Sequence, residues 1–316
     1  MSDKCCRQTS INPRPLDGLP QGARDLIKPG TSGFDANRFD RLSHAGGLSC
    51  STNQRETGAG QSVHLPHSSR NNRSDQALLE VRNQAPFLAF FGLRGLLSGG
   101  LSGTSASLGL YADELITYSG AGSPEDNIFN NALLASNPVA LDYWNRGYHH
   151  IYCANAVIEG VDASSALSPE DRQRFKGEAL FVRALVHFYL GNIFGDIPYI
   201  PTTNYEVNQR AERQPITHVY EKVIEDLQQA IVLLPATYMS AERTRPNRYA
   251  AYALLSRACL YSGRWAEAAD AASAVINAAD FVLEESLDNV FLKESRSTIW
   301  QFRPKFEGSN ADEGAT

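Results

Sequence analysis

This chain of 316 residues lacks paired cysteines. Its five, Cys5, Cys6, Cys50, Cys153 and Cys259, are odd in number and irregular in spacing, which excludes reading a disulfide framework from them. Cys153 and Cys259 fall in apolar stretches, where a thiol behaves as a small hydrophobe. A basic excess is also missing: 29 Lys and Arg face 35 Asp and Glu, a formal net charge of -6. General nucleic-acid binding is excluded on that ground, because displacing phosphate counterions needs clustered cations. No apolar run reaches membrane length. The most apolar stretch, 86–110, is interrupted by Arg94 and by Gly and Ser, whereas a span needs about 20 mostly apolar residues. It reads as a core helix followed by a glycine-rich loop. Behind Met1–Ser10 there is no apolar segment, so no secretory signal peptide is read there. Catalytic signatures are absent as well: no phosphate loop with its Lys, no paired-Cys zinc spacing, no nucleophile elbow. No catalytic residue, cofactor or metal is assigned.

What is present changes character near Asp75. Residues 1–75 are rich in Ser, Gly, Arg, Asn and Pro and carry no apolar periodicity. Such a segment buries too little apolar surface to offset its ordering entropy, so it is expected to be disordered, or not native coding sequence. From Gln76 onward the 42% hydrophobic content of the chain is organised with helical spacing, and the fold class is all-α. The first helix is placed at 76–97, with Pro86 at its true start or at a kink. A polar loop follows, carrying Tyr111, Tyr118, Asn127 and Phe129.

Helix signals then recur. Asn137 and Pro138 cap and open a helix running to about Glu159. Ser168, Pro169, Glu170 and Asp171 open the next; its apolar positions Phe175, Ala179, Val182, Val186, Tyr189, Leu190 and Ile193 repeat every three or four residues, and Gly195 ends it. A proline-bearing connection, 196–215, leads to a helix with Val219, Val223, Leu227, Ile231 and Leu234 on one side. Two more helices are placed at 247–262 and 264–277, separated by Gly263. In these last two, Ala253, Leu254, Tyr261, Gly263, Trp265 and Ala268 resemble a tetratricopeptide repeat, in which small residues let two helices cross closely. The pair 178–194 and 219–234 looks like a second unit with a long insertion, closed by Pro235. The expected architecture is a tetratricopeptide-like helical bundle.

A more specific resemblance lies in several segments taken in order. They are Tyr148 to Ile158, Gly177 to Ala184 continuing through His187-Phe188-Tyr189-Leu190 to Phe194-Gly195-Asp196-Ile197-Pro198, Val219-Tyr220 with Asp226-Leu227, Ala250 to Arg257 with Leu260 to Trp265, and Ser297 to Gln301. Ala112 to Leu115 is a weaker early match. Together they resemble the SusD/RagB family of Bacteroidetes over roughly 76–303. That resemblance implies an outward-facing outer-membrane lipoprotein that binds glycans or similar nutrients. It also implies a partner: a SusC-like, TonB-dependent transporter towards which the tetratricopeptide-like helices face. The chain departs from the family in having no lipobox before Cys5-Cys6 and in ending near Thr316, so residues 76–316 are expected to be a SusD-like helical domain truncated at its C-terminus.

If the ligand is a sugar, its C–H faces stack on aromatic rings and its hydroxyls meet Asn and Asp edges. Tyr118, Asn127 and Phe129 are the candidate ligand-binding residues on that ground, with Phe129 alternatively anchoring its loop in the core. Trp144 and Trp265 are expected to pack in the core. His149 and Cys153, four apart, share a helix face but are too few for a metal site. Glu178, with Arg183 one residue beyond the favourable four-residue spacing, is expected to join a structural ion pair or polar network rather than act as a catalytic acid. Two other functions fit parts of the pattern: a cytoplasmic tetratricopeptide scaffold for peptides, and an all-α glycoside hydrolase.

Overall fold

The computed structural model describes residues 103–134, 136–239 and 241–302. The proposed helix at 76–97, the segment 1–75 and Cys5, Cys6 and Cys50 lie outside the described residues. Among the described residues the chain is helical throughout and forms no strand. Its one β-type pairing is an isolated antiparallel bridge between Ile197 and Gln214.

Two short helices come first, α1 (Thr104–Tyr111) and α2 (Pro124–Phe129). Both fall where the sequence reading placed loop. Ser123-Pro124-Glu125-Asp126 repeats the tetrapeptide Ser168-Pro169-Glu170-Asp171, and each serine accepts a hydrogen bond from the backbone N–H three residues on, at 3.1 Å in both cases. The same cap chemistry starts both helices. The second continues because an apolar stripe follows it, and the first stops within six residues because none does.

The long helices are α3 (Pro138–Ala163) and α4 (Pro169–Phe194). Asn137 caps α3 by accepting from the Val139 N–H at 2.9 Å, as its sequence suggests. Helix α4 is the centre of the molecule: α3 packs on one side, α6 (Ile216–Leu233) on another, and α4 is buried along nearly its whole length from Phe175 to Gly191. Close approach needs a small residue at the crossing. A Cβ on Gly177 would lie 2.9 Å from Leu234 Cγ, so the end of α6 sits directly on that glycine. Between α4 and α6 runs the connection 195–215, with the single turn α5 (Tyr205–Asn208). Helix α6 lacks a cap of its own. Asp196, twenty residues back, supplies one by accepting from the Ile216 N–H at 2.9 Å.

Helices α7 (Arg248–Tyr261) and α8 (Trp265–Ile276) form the last pair, with α7 packed on α6. Gly263, at φ 75°, turns the chain between them, and the Ser256 hydroxyl donates to the Ala268 carbonyl at 2.8 Å across the crossing. A final turn, α9 (Leu287–Val290), precedes a segment that folds back on the core: Trp300 packs edge-on against Phe181 at 5.3 Å and donates its ring N–H to the Thr244 carbonyl.

Two tryptophans part company. Trp144 is half-buried against Tyr148 and Phe194, at 4.8 and 5.2 Å between rings, as a packing residue should be. Trp265 is 67% exposed, which overturns its expected place in the core. It is the first residue of α8, and helical side chains lean towards the N-terminus. Its ring therefore overhangs the turn, while Ala268, Ala271 and Val275 make the buried face.

Gly195 ends α4 at φ 73° and ψ -125°, a region open to glycine and strained for other residues. Gly195→Ala is expected to lower stability by about 1–3 kcal/mol in urea denaturation, with an unchanged dependence on denaturant concentration.

Candidate functional site

The connection 195–215 carries few apolar anchors, Ile197 and Ile200 being the buried ones. Polar groups of three helices hold it. Arg183 on α4 makes a two-pronged ion pair with Asp226 on α6, at 2.8 and 2.6 Å. Both side chains are buried, 9% and 4% exposed. Burial alone would lower the arginine's pKa, but the charge and hydrogen bonds of Asp226 outweigh it and hold the guanidinium above its ordinary value. The remaining valences are filled. Arg183 also donates to Asn155 Oδ1 at 2.9 Å and to the Pro201 carbonyl at 3.2 Å. Tyr199 donates to Asp226 at 2.6 Å. Burial, and then the Asp226 charge, push the Tyr199 hydroxyl well above the usual phenol value. Asn155 on α3 donates to the carbonyls of Ile200 and Thr202.

His187 adds a directional clamp. Its Nδ1 donates to the Arg183 carbonyl at 2.9 Å, and its Nε2 accepts from the Ile200 N–H at 3.2 Å. Only the neutral ring with its proton on Nδ1 satisfies both bonds, since Nε2 must present a lone pair. Complete burial, reinforced by the Arg183 charge, brings its pKa from 6.5 down to about 3. Tyr199 stacks on that ring at 4.4 Å. Tyr148 from α3 donates to the Pro198 carbonyl at 2.8 Å. At the rim, Glu159 accepts from the Thr203 N–H and from the Thr202 hydroxyl, both at 2.8 Å.

Between this tethered connection and α6 lies an open groove of about 720 Å³. Tyr199, Asn208, Arg210, Arg213, Gln214 and Gln229 are among its walls, with Arg183 and Asp226 at its base. Asn208 donates to the Thr202 carbonyl at 2.8 Å, which orients its amide and leaves Oδ1 without a donor among the described residues. Gln214 Oε1 is likewise unpaired.

The residues singled out from sequence are placed differently. Tyr118 stands on the loop between α1 and α2 and is 97% exposed. Asn127 and Phe129 are on helix α2, both half-buried; the residue that anchors α2 in the interior is their neighbour Ile128, 4% exposed. Among the described residues no hydrogen bond or ring contact joins Tyr118 to Asn127 or Phe129. Glu178 does not pair with Arg183. It meets Arg245 at 2.5 Å while Arg183 takes Asp226, because on α4 the two side chains leave towards different neighbours. Burial raises the Glu178 pKa, and Arg245 opposes it. His149 Nε2 and Cys153 Sγ lie 3.7 Å apart, and among the described residues no three His, Cys, Asp or Glu side chains gather as a metal site would require. Sequence reading missed Asn155, Tyr199 and Asp226. The signal was there: Arg183 and Asp226 each interrupt an apolar helix face, which marks a buried charge that needs a partner.

Comparison with known proteins turns on this same stretch. Residues 122–260, from α2 through α7, match a SusD-like family model described as starch-binding associating with outer membrane. Over those residues the chain is similar to SusD-like proteins. SusD-like protein P2 of Formosa agariphila is 33% identical over 181 residues, and SusD-like protein P25 of the same organism is 29% identical over 126. The matches cover 52% and 39% of this chain, and the chain spans only 34% and 24% of those relatives. Solved structures share the fold: a SusD superfamily protein from Bacteroides vulgatus with a TM-score of 0.60 at 22% identity, over 69% of this chain and 48% of that one, and a laminarin-binding SusD-like protein with 0.52 at 21%, over 69% and 47%. Among the described residues no helix is long and apolar enough to cross a membrane.

Two outcomes test the clamp. Asp226→Asn, which strands a buried guanidinium, is expected to cost about 3–5 kcal/mol of stability and to free the connection for proteolysis. For His187 the folded pKa lies below the unfolded one, so its contribution is whole above about pH 6.5 and is lost as pH falls towards about 3. Thermal melts across that window are expected to show a smaller fall in Tm for His187→Gln than for the wild type.

Proposed function

We propose that this protein captures carbohydrate without cleaving it, as part of nutrient uptake at the outer membrane. The observation that carries the reading is the match of 122–260 to a family described as starch-binding and associated with that membrane. The site chemistry agrees with a binder. The buried acids are committed to structure: Asp226 is held by Arg183 and Tyr199, and Glu178 by Arg245. A glycosidase needs two acids flanking one scissile bond and free to exchange protons.

On this reading Tyr118 offers an open ring face for a sugar to stack on, and Asn127 and Phe129, on the adjoining helix, border the approach. The captured glycan passes to a TonB-dependent, SusC-like transporter, with the tetratricopeptide-like helix pairs as the surface towards it. On the same reading, residues 76–316 act as one portion of the protein, set apart from 1–75.

Affinity electrophoresis in gels containing amylopectin or laminarin tests the reading: retardation of the chain is expected, with no reducing ends released on long incubation. Tyr118→Ala is expected to weaken binding roughly fivefold, the worth of about 1 kcal/mol for one stacked ring, without changing the melting temperature. Mobility identical in gels with and without any polysaccharide would sink the proposal.

A further inference from the structure

The groove between the connection 195–215 and α6 is set apart by what its charges do. Most are spent on one another. Arg183 and Asp226 neutralise each other at its base, and Lys222 pairs with Glu225 at 2.8 Å. Arg210 and Arg213 are different. Both project from the exposed arm of the connection, and neither has a side-chain hydrogen bond or an acid partner among the described residues. Only Glu212, between them in the chain, offsets them, so the groove holds two uncommitted guanidiniums against one carboxylate. The same wall has amide side chains at Asn208, Gln214 and Gln229, and the acceptor oxygens of the first two are buried with no donor among the described residues. A planar guanidinium reads a carboxylate or sulfate through two parallel N–H bonds, and side-chain amides read hydroxyls. At about 720 Å³ the groove is far larger than a lone inorganic anion needs and within the roughly 300–1,000 Å³ usual for organic ligands.

We infer that this groove is a second saccharide subsite, selective for acidic sugars, in which Arg210 and Arg213 hold the carboxylate or sulfate group and the amides hold the hydroxyls. The inference rests on the capture reading and adds a ligand class and a place to it. The subsite is distinct from the Tyr118 loop: it is built by the connection and α6, whereas Tyr118 belongs to the segment between α1 and α2. The tethering by Arg183, His187 and Asn155 gives it a rigid floor, while the two arginines are exposed and free to meet a ligand.

The test is titration calorimetry on the full 316-residue chain with four probes: oligogalacturonate, a sulfated chondroitin oligosaccharide, a neutral laminari-oligosaccharide and polyglutamate. One or both acidic saccharides are expected to bind more tightly than the neutral one, with affinity falling as salt rises, and the stronger of the two identifies the anionic group. The double variant Arg210→Gln, Arg213→Gln is expected to lose about tenfold or more of that affinity, leaving neutral-saccharide binding and the melting temperature unchanged. The doubly substituted Arg210→Lys, Arg213→Lys chain is expected to recover part of the loss. Unchanged acidic-saccharide binding in the Gln variant overturns the inference, as does polyglutamate binding as well as the acidic saccharides, which would make the groove a peptide site. Binding of the neutral saccharide alone defeats the groove and leaves the capture reading intact; no binding of any saccharide defeats both.

Discussion

The buried pair of Arg183 and Asp226 organises this structure. Two full charges sit where water does not reach, so each must be neutralised and every remaining hydrogen-bonding position filled. Asp226 is held by two guanidinium nitrogens and the Tyr199 hydroxyl; Arg183 spends a further donor on Asn155 and Pro201. Those obligations draw α3, α4, α6 and the connection to one point. An apolar substitute of equal volume could fill the space. It could not specify where a connection with so few apolar residues must lie.

That logic explains the shape of the groove. In the tetratricopeptide-like pairs, helices meet through small residues and the chain turns tightly, as at Gly263. Between α4 and α6 the turn is replaced by a long excursion that must be held without a core of its own. Asp196 caps α6, His187 grips the Ile200 amide, and Glu159 takes the amide and hydroxyls of Thr202 and Thr203. The excursion stands off α6 and leaves an open cleft between them. Its inner side is rigid because it is bonded to helices, and its outer side, with Arg210 and Arg213, is left to solvent.

Function therefore divides across the chain. The helices supply rigidity, and the irregular segments supply exposed aromatic, amide and guanidinium groups. The family match spans both, from α2 to α7. The chain covers a minority of its curated relatives' length.

Much of the scaffold was legible in the sequence because helix signals are local. Caps at Asn137 and Ser168, breaks at Gly195 and Gly263, and the stripe from Val219 to Leu234 act within one or two turns, and the long helices lie within a few residues of their expected limits. The same local chemistry at Ser123 was overlooked only because no apolar stripe followed it. What the sequence could not settle is which partner each polar side chain takes. Glu178 and Arg183 are five apart on one helix, yet Glu178 reaches Arg245 and Arg183 reaches Asp226, 67 and 43 residues away. Trp265 has the spacing of a core residue and is exposed because α7 has already ended beside it. By itself the sequence determined the long helices and their likeness to a family, since both depend on neighbouring residues. The clamp, the groove and the exposure of Arg210 and Arg213 were decided by tertiary structure, because burial and pairing depend on which distant elements the packing of α4 brings together.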